Sequence, residues 1–314
     1  MFQLGNSASG AKQIPNNVID LKDSSPDMYK KYKDPESRRT IIQTFDLDPE
    51  QLTTLRTACK ERGLTVTHAL AAAMLFVTER VIHDESDNDI GSNNSKRSSV
   101  LRFLLSVGLR PFGLKGVSDF TDGTVACAGG AVDFVVRVPN VNPSFYQSHD
   151  SIIDNNNDNS NTDKETFWRV AKECKLQAAD VFSTQNGFVK ESVRLFGLGM
   201  QYAEILPMVE ADAASDTLGR GYSCGVSNVG LTKYASTSTA SNSSRSIVVD
   251  KVYYATSHAR NGVLCQLSVE SPLAEQCENE EPKLCGCLQF PEPLITQKQS
   301  QAVKNALLNI LKNI

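Results

Sequence analysis

The stretch "GYSCGVSNVGLTKY", residues 221–234, places one cysteine, two serines and three glycines within fourteen residues. A hydrolase nucleophile elbow has the form G-x-S-x-G, with a glycine two residues before the nucleophile and another two residues after it. Cys224 has Gly221 three residues before it and Gly225 directly after it, and Ser227 has Gly225 two before and Gly230 three after. Neither residue has the spacing of an elbow. Residues 221–228 are predicted to form a strand, with Cys224 in the core.

The composition excludes several classes of function. The chain has 314 residues, 40% of them hydrophobic, which is enough for one large domain or two modest ones. Its net charge is -4 and its basic and acidic residues are interspersed, which argues against nucleic acid as the main partner. The N-terminus lacks the pattern of a signal peptide, and the longest apolar run, residues 69–77, is too short to span a bilayer. We expect a soluble, cytoplasmic protein.

The order of elements predicts a mixed α/β fold. Asp48 caps a helix that begins at Pro49 and ends near Gly63, and Thr65 caps a second helix over 66–82, which is apolar almost all round. Further helices are predicted at 165–182, 188–206 and 297–312, and strands at 40–47, 100–109, 131–139, 221–228, 247–256, 262–270 and 284–290. Because helices come early and strands cluster late, we expect one mixed sheet with helices packed mainly on one face.

Three segments are predicted to lie outside the regular elements. Residues 1–39 read as an irregular polar lead-in, followed by one folded unit over 40–314. The polar tracts 83–99 and 154–164 read as loops, and residues 85–98 and 150–163 are expected to be mobile because they hold little apolar surface.

Cysteines and histidines give no complete site. Cys285 and Cys287 would share one face of a strand, but no second pair with metal-ligand spacing accompanies them, so we predict core packing and no metal. His68 is interpreted as a core or capping residue, and His149 as exposed. His83 belongs to an H-x-x-x-D sequence without a buried strand to position it. His258, with Arg260 nearby, follows the predicted strand at 247–256. No catalytic residue is assigned.

Five segments resemble a known superfamily when they are taken in order. They are "RGLTVTHALAAAML", "LLSVGLRP", "FWRVAKECK", "GVSNVG" and "CGCLQFPEPLITQKQ", followed by "ALLNIL". Over residues 38–312 the chain resembles the C-terminal half of the chloramphenicol-acetyltransferase-like superfamily, which includes peptide-synthetase condensation domains and fungal alcohol O-acetyltransferases. The resemblance implies one lobe of a two-lobed acyltransferase fold, with an uncovered apolar flank where the other lobe docks.

The resemblance also implies a reaction and a set of residues. The reaction is acyl transfer from coenzyme A or a pantetheine thioester, as co-substrate, to an alcohol or amine. The family's H-H-x-x-x-D-G signature lies in the N-terminal half and is not found here, so an N-terminal half from another chain is an expected partner. The alternative is a non-catalytic binding module of the same fold.

Substrate-binding residues are carried over from the same resemblance. "GVSNVG" matches the family's S-N-x-G strand beside the tunnel between the lobes. Gly225 and Gly230 would leave the backbone bare for a pantetheine arm, and Ser227 and Asn228 would hydrogen-bond the thioester. Arg110, at the end of the strand "GLRP", would fix a loop or steer a donor phosphate.

Overall fold

A computed structural model of the protein describes residues 26–84, 98–108, 129–139, 141, 143–147, 157–183, 220–234, 249–256, 262–274 and 281–314. Its helices are α1 (Pro26–Lys33), α2 (Pro49–Glu61), α3 (Val66–Asp84), α4 (Asn157–Ser183) and α5 (Gln297–Asn313). Its strands are β1 (Arg39–Leu47), β2 (Ser98–Gly108), β3 (Gly129–Pro139), β4 (Tyr222–Tyr234), β5 (Val263–Ala274) and β6 (Leu284–Glu292).

The six strands form one mixed sheet in the order β1-β6-β5-β4-β2-β3. The central strand β4 runs parallel to β5 and to β2, whereas the β1–β6, β5–β6 and β2–β3 pairs are antiparallel. The predicted mixed α/β fold is therefore confirmed. The arrangement places the stretch that begins at Tyr222 in the middle of the sheet.

Helix α3 is the centre of the core on one face of the sheet. Every residue from Ala69 to Val77 is at most 1% exposed, as its apolar sequence predicts. It packs against α4, α5 and β4. Aromatic side chains fill the space around Phe76, whose ring lies 5.8 Å from that of Phe145 and 6.0 Å from that of Phe167, measured between centroids. We call this side of the sheet the helix face.

The helix boundaries follow from capping chemistry. The Asp48 carboxylate accepts a hydrogen bond from the Gln51 N–H, and the Gln51 side chain accepts one from the Asp48 N–H. Gly63 ends the turn after α2 with φ +63°, a left-handed conformation that favours glycine. The Thr65 N–H donates to His68 Nδ1 at the start of α3, which confirms the capping role of that histidine.

Three predicted boundaries are wrong. The lead-in is not irregular throughout, because α1 lies within it and Tyr32 is only 2% exposed in the core. The tract 154–164 is not all loop, since α4 begins at Asn157; its polar residues extend an amphipathic helix whose later turns are anchored by Phe167 and Val170. Residues 249–256 form no strand, because they cross the sheet instead of pairing along it.

Two further observations concern strand β2 and the exposed apolar side chains. Only alternate residues of β2 are buried, so it has one core face and is not buried on both sides. The exposed large apolar side chains among the described residues are Ile42, Leu176, Val229, Leu231 and Tyr253. They do not test the predicted apolar flank, which stays a prediction.

Several predictions fall outside the described residues. They concern the helix at 188–206, the tracts 85–97 and 150–156, and the side chains of Arg110, His149 and His258. Within the described part of the chain, no helix has the length and apolarity needed to cross a membrane.

Candidate functional site on the polar face of the sheet

The side chains of β4 alternate between the two faces of the sheet. Cys224 and Val226, both 0% exposed, lie on the helix face. Asn228 lies there too, because its Nδ2 donates to Thr67 Oγ1 of α3 at 2.9 Å. Ser227 lies on the opposite side, where its hydroxyl oxygen accepts a hydrogen bond from Tyr254 at 3.1 Å. Ser227 and Asn228 therefore point in opposite directions.

Gly230 forms a β-bulge in β4. The pairing with β5 shifts register between Asn228 and Gly230, and Gly230 has φ +85°. The Gly230 N–H donates to Asn228 Oδ1 at 2.9 Å, so the asparagine side chain holds the bulge. The pairing of β4 with β2 ends at Ser227, opposite Ser106. Gly230 is thus required by the backbone conformation of the bulge.

Gly225 is a glycine for a different reason. A Cβ at this position would lie 2.7 Å from Gln266 Oε1 and 3.0 Å from the Leu104 carbonyl oxygen. The Gln266 side chain occupies the space beside the glycine. A pantetheine arm lying along Gly225, as the resemblance implies, would have to displace that side chain.

Polar side chains lie on the side of the sheet that Ser227 faces. We call this side of the sheet the polar face; it carries Asp46 of β1, Gln289 of β6, Ser268 and Glu270 of β5, and Ser227 of β4. Gln289 Nε2 donates to Ser268 Oγ at 2.9 Å, and Gln289 Oε1 accepts from the Thr256 N–H at 2.8 Å. Gln289 and Ser268 are 0% and 2% exposed. Their hydrogen bonds satisfy polar groups that are buried on this face.

Tyr254 joins β4 to β5 on the polar face. Its hydroxyl lies 2.7 Å from the Ser227 carbonyl oxygen, 3.1 Å from Ser227 Oγ and 3.5 Å from the Val269 carbonyl oxygen. Burial raises the pKa of the phenol, and its hydrogen bonds to Ser227 and Ser268 oppose that rise. Tyr254 is therefore a neutral hydrogen-bond donor at physiological pH.

Glu270 is a buried carboxyl group two residues beyond Ser268. It is 5% exposed and accepts a short hydrogen bond from the Tyr234 hydroxyl. That hydrogen bond, together with some burial and the nearby negative charge, raises the pKa of Tyr234 to about 12. Because Glu270 pairs with Gly230 across the bulge, the carboxyl lies beside the distorted part of β4.

Residues 249–256, which we call the strap, lie across the polar face. Lys251 Nζ contacts Asp46 Oδ2 at 2.6 Å, and the Tyr253 hydroxyl donates to the other oxygen of the same carboxylate. Burial favours the neutral form of Asp46, but the hydrogen bonds from Lys251 and Tyr253 outweigh it and lower its pKa. The strap is thus attached to β1, β4 and β6 through Tyr253, Tyr254 and Thr256.

The structure brings together only part of the predicted site. Ser227 and Gly225 share the polar face, Asn228 lies on the helix face, Gly230 forms the bulge, and Arg110 is outside the described residues. Sequence analysis missed Tyr254, Glu270 and Gln289. The alternation of polar residues in "CQLSVES" (265–271) was the available signal for Glu270, because it places Gln266, Ser268 and Glu270 on one side of a strand.

Metal ligands and surface grooves are two other kinds of candidate site. Among the side chains with described positions, no three His, Cys, Asp or Glu residues converge as metal ligands. A surface groove of about 380 Å³ lies between α2 and the start of α3, where Arg56, Lys60 and Val66 line it. It is on the helix side of the sheet, away from Ser227.

The comparisons with known proteins agree with the fold. No protein-family model matches the chain, and no curated protein does. Among solved structures it is similar to the trichothecene 15-O-acetyltransferase of Fusarium sporotrichioides, with a TM-score of 0.51 and 13% identity over 88% of this chain and 46% of that one. It is also similar to the epimerization domain of tyrocidine synthetase B (TM-score 0.41, 10% identity, 88% of this chain and 47% of that one). A third similar structure is the EpoB cyclization-docking bidomain of Sorangium cellulosum (TM-score 0.42, 14% identity, 94% and 48%).

The chain spans about half the length of these solved structures. It shares its fold with part of the Fusarium acetyltransferase, in agreement with the fold that the resemblance implies. At 13% identity this likeness establishes the fold and not the reaction.

Proposed function

We propose that this chain supplies the C-terminal wall of a two-lobed acyltransferase, which transfers an acyl group from a coenzyme A or pantetheine thioester to an alcohol or amine. The observation that carries the proposal is the structural likeness to an O-acetyltransferase, which extends over 88% of this chain but only 46% of the enzyme. An N-terminal half with an H-H-x-x-x-D-G sequence would supply the general base.

Ser227 is the residue of this chain best suited to contact the thioester. Its Oγ accepts a hydrogen bond from Tyr254, and Tyr254 is its only described side-chain partner, so the hydroxyl proton of Ser227 can be donated elsewhere. A thioester carbonyl above the polar face would accept that proton. The bond would strengthen as negative charge develops on the oxygen during acyl transfer.

Ser227→Ala tests this role through acetyl-CoA binding to the full chain, measured by isothermal titration calorimetry. Loss of one hydrogen bond is expected to weaken binding about three- to tenfold. Ser271→Ala, a serine of β5 beyond the bulge that pairs with Leu231, is the matched control and should leave the affinity unchanged. Equal affinities in all three proteins would remove Ser227 from the site.

The proposed N-terminal half is tested by the transcript sequence upstream of Met1. An in-frame segment of similar length with H-H-x-x-x-D-G is expected if the two halves form one enzyme. A separate chain that carries the sequence and co-purifies with this one would support the same proposal in two parts.

A non-catalytic binding module is the second candidate. The observation that favours it is the set of hydrogen bonds that joins Tyr254, Ser268, Gln289 and Thr256, which leaves few of their polar atoms free for a substrate. Thioester binding without turnover, even with an N-terminal half present, would select this candidate.

A further inference from the structure

Glu270 is a buried carboxyl group without a cationic partner among the described residues. Its one hydrogen bond from a described residue comes from the neutral Tyr234 hydroxyl. Lys251 of the strap pairs with Asp46, and Lys283, which precedes β6, pairs with Asp250. Lys233 is exposed and precedes Tyr234 in β4, so strand alternation turns it to the other face.

This arrangement leaves acceptor positions of the Glu270 carboxyl group that no described residue fills. A buried carboxylate needs a cation or several hydrogen bonds to offset the loss of water. An ionised carboxylate has about four acceptor positions, and one phenol hydroxyl fills one of them. A positively charged group from a ligand would fill the remaining positions of Glu270 with charge-assisted hydrogen bonds.

The location of Glu270 relates it to the proposed thioester contact. Ser227 and Ser268 are paired across β4 and β5, and Glu270 follows Ser268 by two residues on the same face. The Tyr254 hydroxyl, which is hydrogen-bonded to Ser227, lies close enough to Glu270 for the carboxylate charge to raise the pKa of Tyr254. Beyond Ser227, β4 pairs only with β5 among the described strands.

We propose that Glu270 selects a primary amine as the acyl acceptor, by binding its ammonium form beside the thioester carbonyl held at Ser227. This inference rests on the proposed function and chooses between the alcohol and amine acceptors that the fold leaves open. Glu270 is a binding residue here; the proton-removing base belongs to the N-terminal half.

The bonds and protons of the acyl transfer balance with the bound ammonium, the base and the thioester. The bound ammonium gives one proton to the base, and the lone pair of the resulting amine forms the C–N bond at the thioester carbon. The C–S bond breaks, the second proton lost by nitrogen passes to the departing sulfur, and an amide and a free thiol are released.

The test compares benzylamine with benzyl alcohol, which differ chiefly in the charged group, in binding to the full chain. Affinities are measured by ligand-observed saturation-transfer NMR at neutral pH. The wild-type protein is expected to favour the amine about tenfold or more, as a hydrogen bond to a charged group would provide. Glu270→Gln, which keeps the shape and an acceptor for Tyr234, should remove that preference.

Two control variants separate a local effect from general electrostatics. Glu281→Gln removes one negative charge at an exposed site near α2, and it should retain the preference for benzylamine. Tyr234→Phe removes the neutral donor but keeps the Glu270 carboxyl, and it should retain the preference as well. Circular dichroism and thermal unfolding check that every variant is folded.

The outcomes distinguish this inference from the function on which it rests. Equal binding of amine and alcohol by the wild type, or an unchanged preference in Glu270→Gln, would overturn the amine assignment. If acetyl-CoA binding still depends on Ser227 in that case, the acyltransferase proposal stands with an alcohol acceptor. If acetyl-CoA binding is absent while the amine preference holds, the cation site exists without the proposed reaction, and the assignment of an acyl acceptor is overturned.

Discussion

Gly286 lies in the middle of β6, directly beneath the aromatic ring of Phe45 on β1. The two residues are paired across the strands, and a Cβ on Gly286 would lie 2.2 Å from Phe45 Cζ. No side chain can fit there unless the ring moves. The glycine therefore allows the large Phe45 side chain, only 6% exposed, to lie flat against the sheet.

Gly286→Ala is expected to lower the free energy of unfolding by about 1–3 kcal/mol, because the new methyl group forces the packed ring out of place. Urea denaturation followed by circular dichroism measures the change. Gly108→Ala, at the end of β2 with no atom within 4 Å of the added Cβ, should cost less than about 1 kcal/mol. Adding Phe45→Leu to Gly286→Ala should recover part of the loss; no recovery would contradict the packing argument.

The attachment of the strap to the sheet depends on the ionisation of Asp46. Its Lys251 and Tyr253 both contact the carboxylate of Asp46, and these contacts hold the pKa of Asp46 below the ordinary value of 3.8 despite partial burial. A carboxyl group with a lowered pKa stabilises the folded state above its unfolded pKa. That contribution is lost as the pH falls through the folded pKa. The strap should therefore be held firmly near neutral pH and released below about pH 4.

Amide hydrogen exchange of residues 249–256, corrected for intrinsic rates, measures this release. Protection is expected to decrease as the pH is lowered from about 6 to about 3. Asp46→Asn should lower protection at pH 6 and flatten its pH dependence, because the amide cannot form the ion pair. Asp34→Asn, an exposed carboxyl that caps the short turn before Ser37, is the control and should leave the strap unchanged. Strap protection that is independent of pH in the wild type would contradict this account.

At the scale of the whole molecule, the sheet presents one core face and one polar face. The helix face is filled by α3 and its neighbours, whereas the polar face holds Ser227 and Glu270 beneath or beside the strap. In the proposed enzyme a second lobe would cover this face and bring the general base to it. Positioning of both substrates would then depend on two walls, of which this chain provides one.

The purified chain by itself is expected to show no acyl transfer from acetyl-CoA above the uncatalysed rate. General-base catalysis contributes about 10²–10⁴-fold, and alignment of donor with acceptor is lost as well. Release of free thiol, detected with a chromogenic disulfide reagent, measures turnover with alcohols and with amines. Turnover that begins when an N-terminal half is added would support the two-lobed enzyme. Efficient turnover by the chain alone would refute it.

The sequence by itself determined the local elements and the class of fold. Capping residues such as Asp48 and Thr65, and the apolar run of α3, act within a few residues of each other, so their effect can be predicted from spacing. Helix α1 was missed because its polar composition gives no local signal; only the burial of Tyr32 against the folded core places it. Residues 249–256 have the composition of a strand, and only the folded sheet shows that their side chains bind across it.

Which residues lie together in the candidate site depends on the tertiary structure. The motif "SNVG" placed Ser227 and Asn228 together in sequence, but strand alternation separates them, with Asn228 bonded to α3 and Ser227 to the strap. Tyr254 lies 27 residues from Ser227 in the sequence and contacts it only because the strap crosses β4. Glu270 lies 43 residues from Ser227 and comes beside the bulge of β4 only because β4 pairs with β5. Sequence patterns report the period of one element, whereas a site on a sheet depends on register between strands, and that register is set by the packing of the whole core.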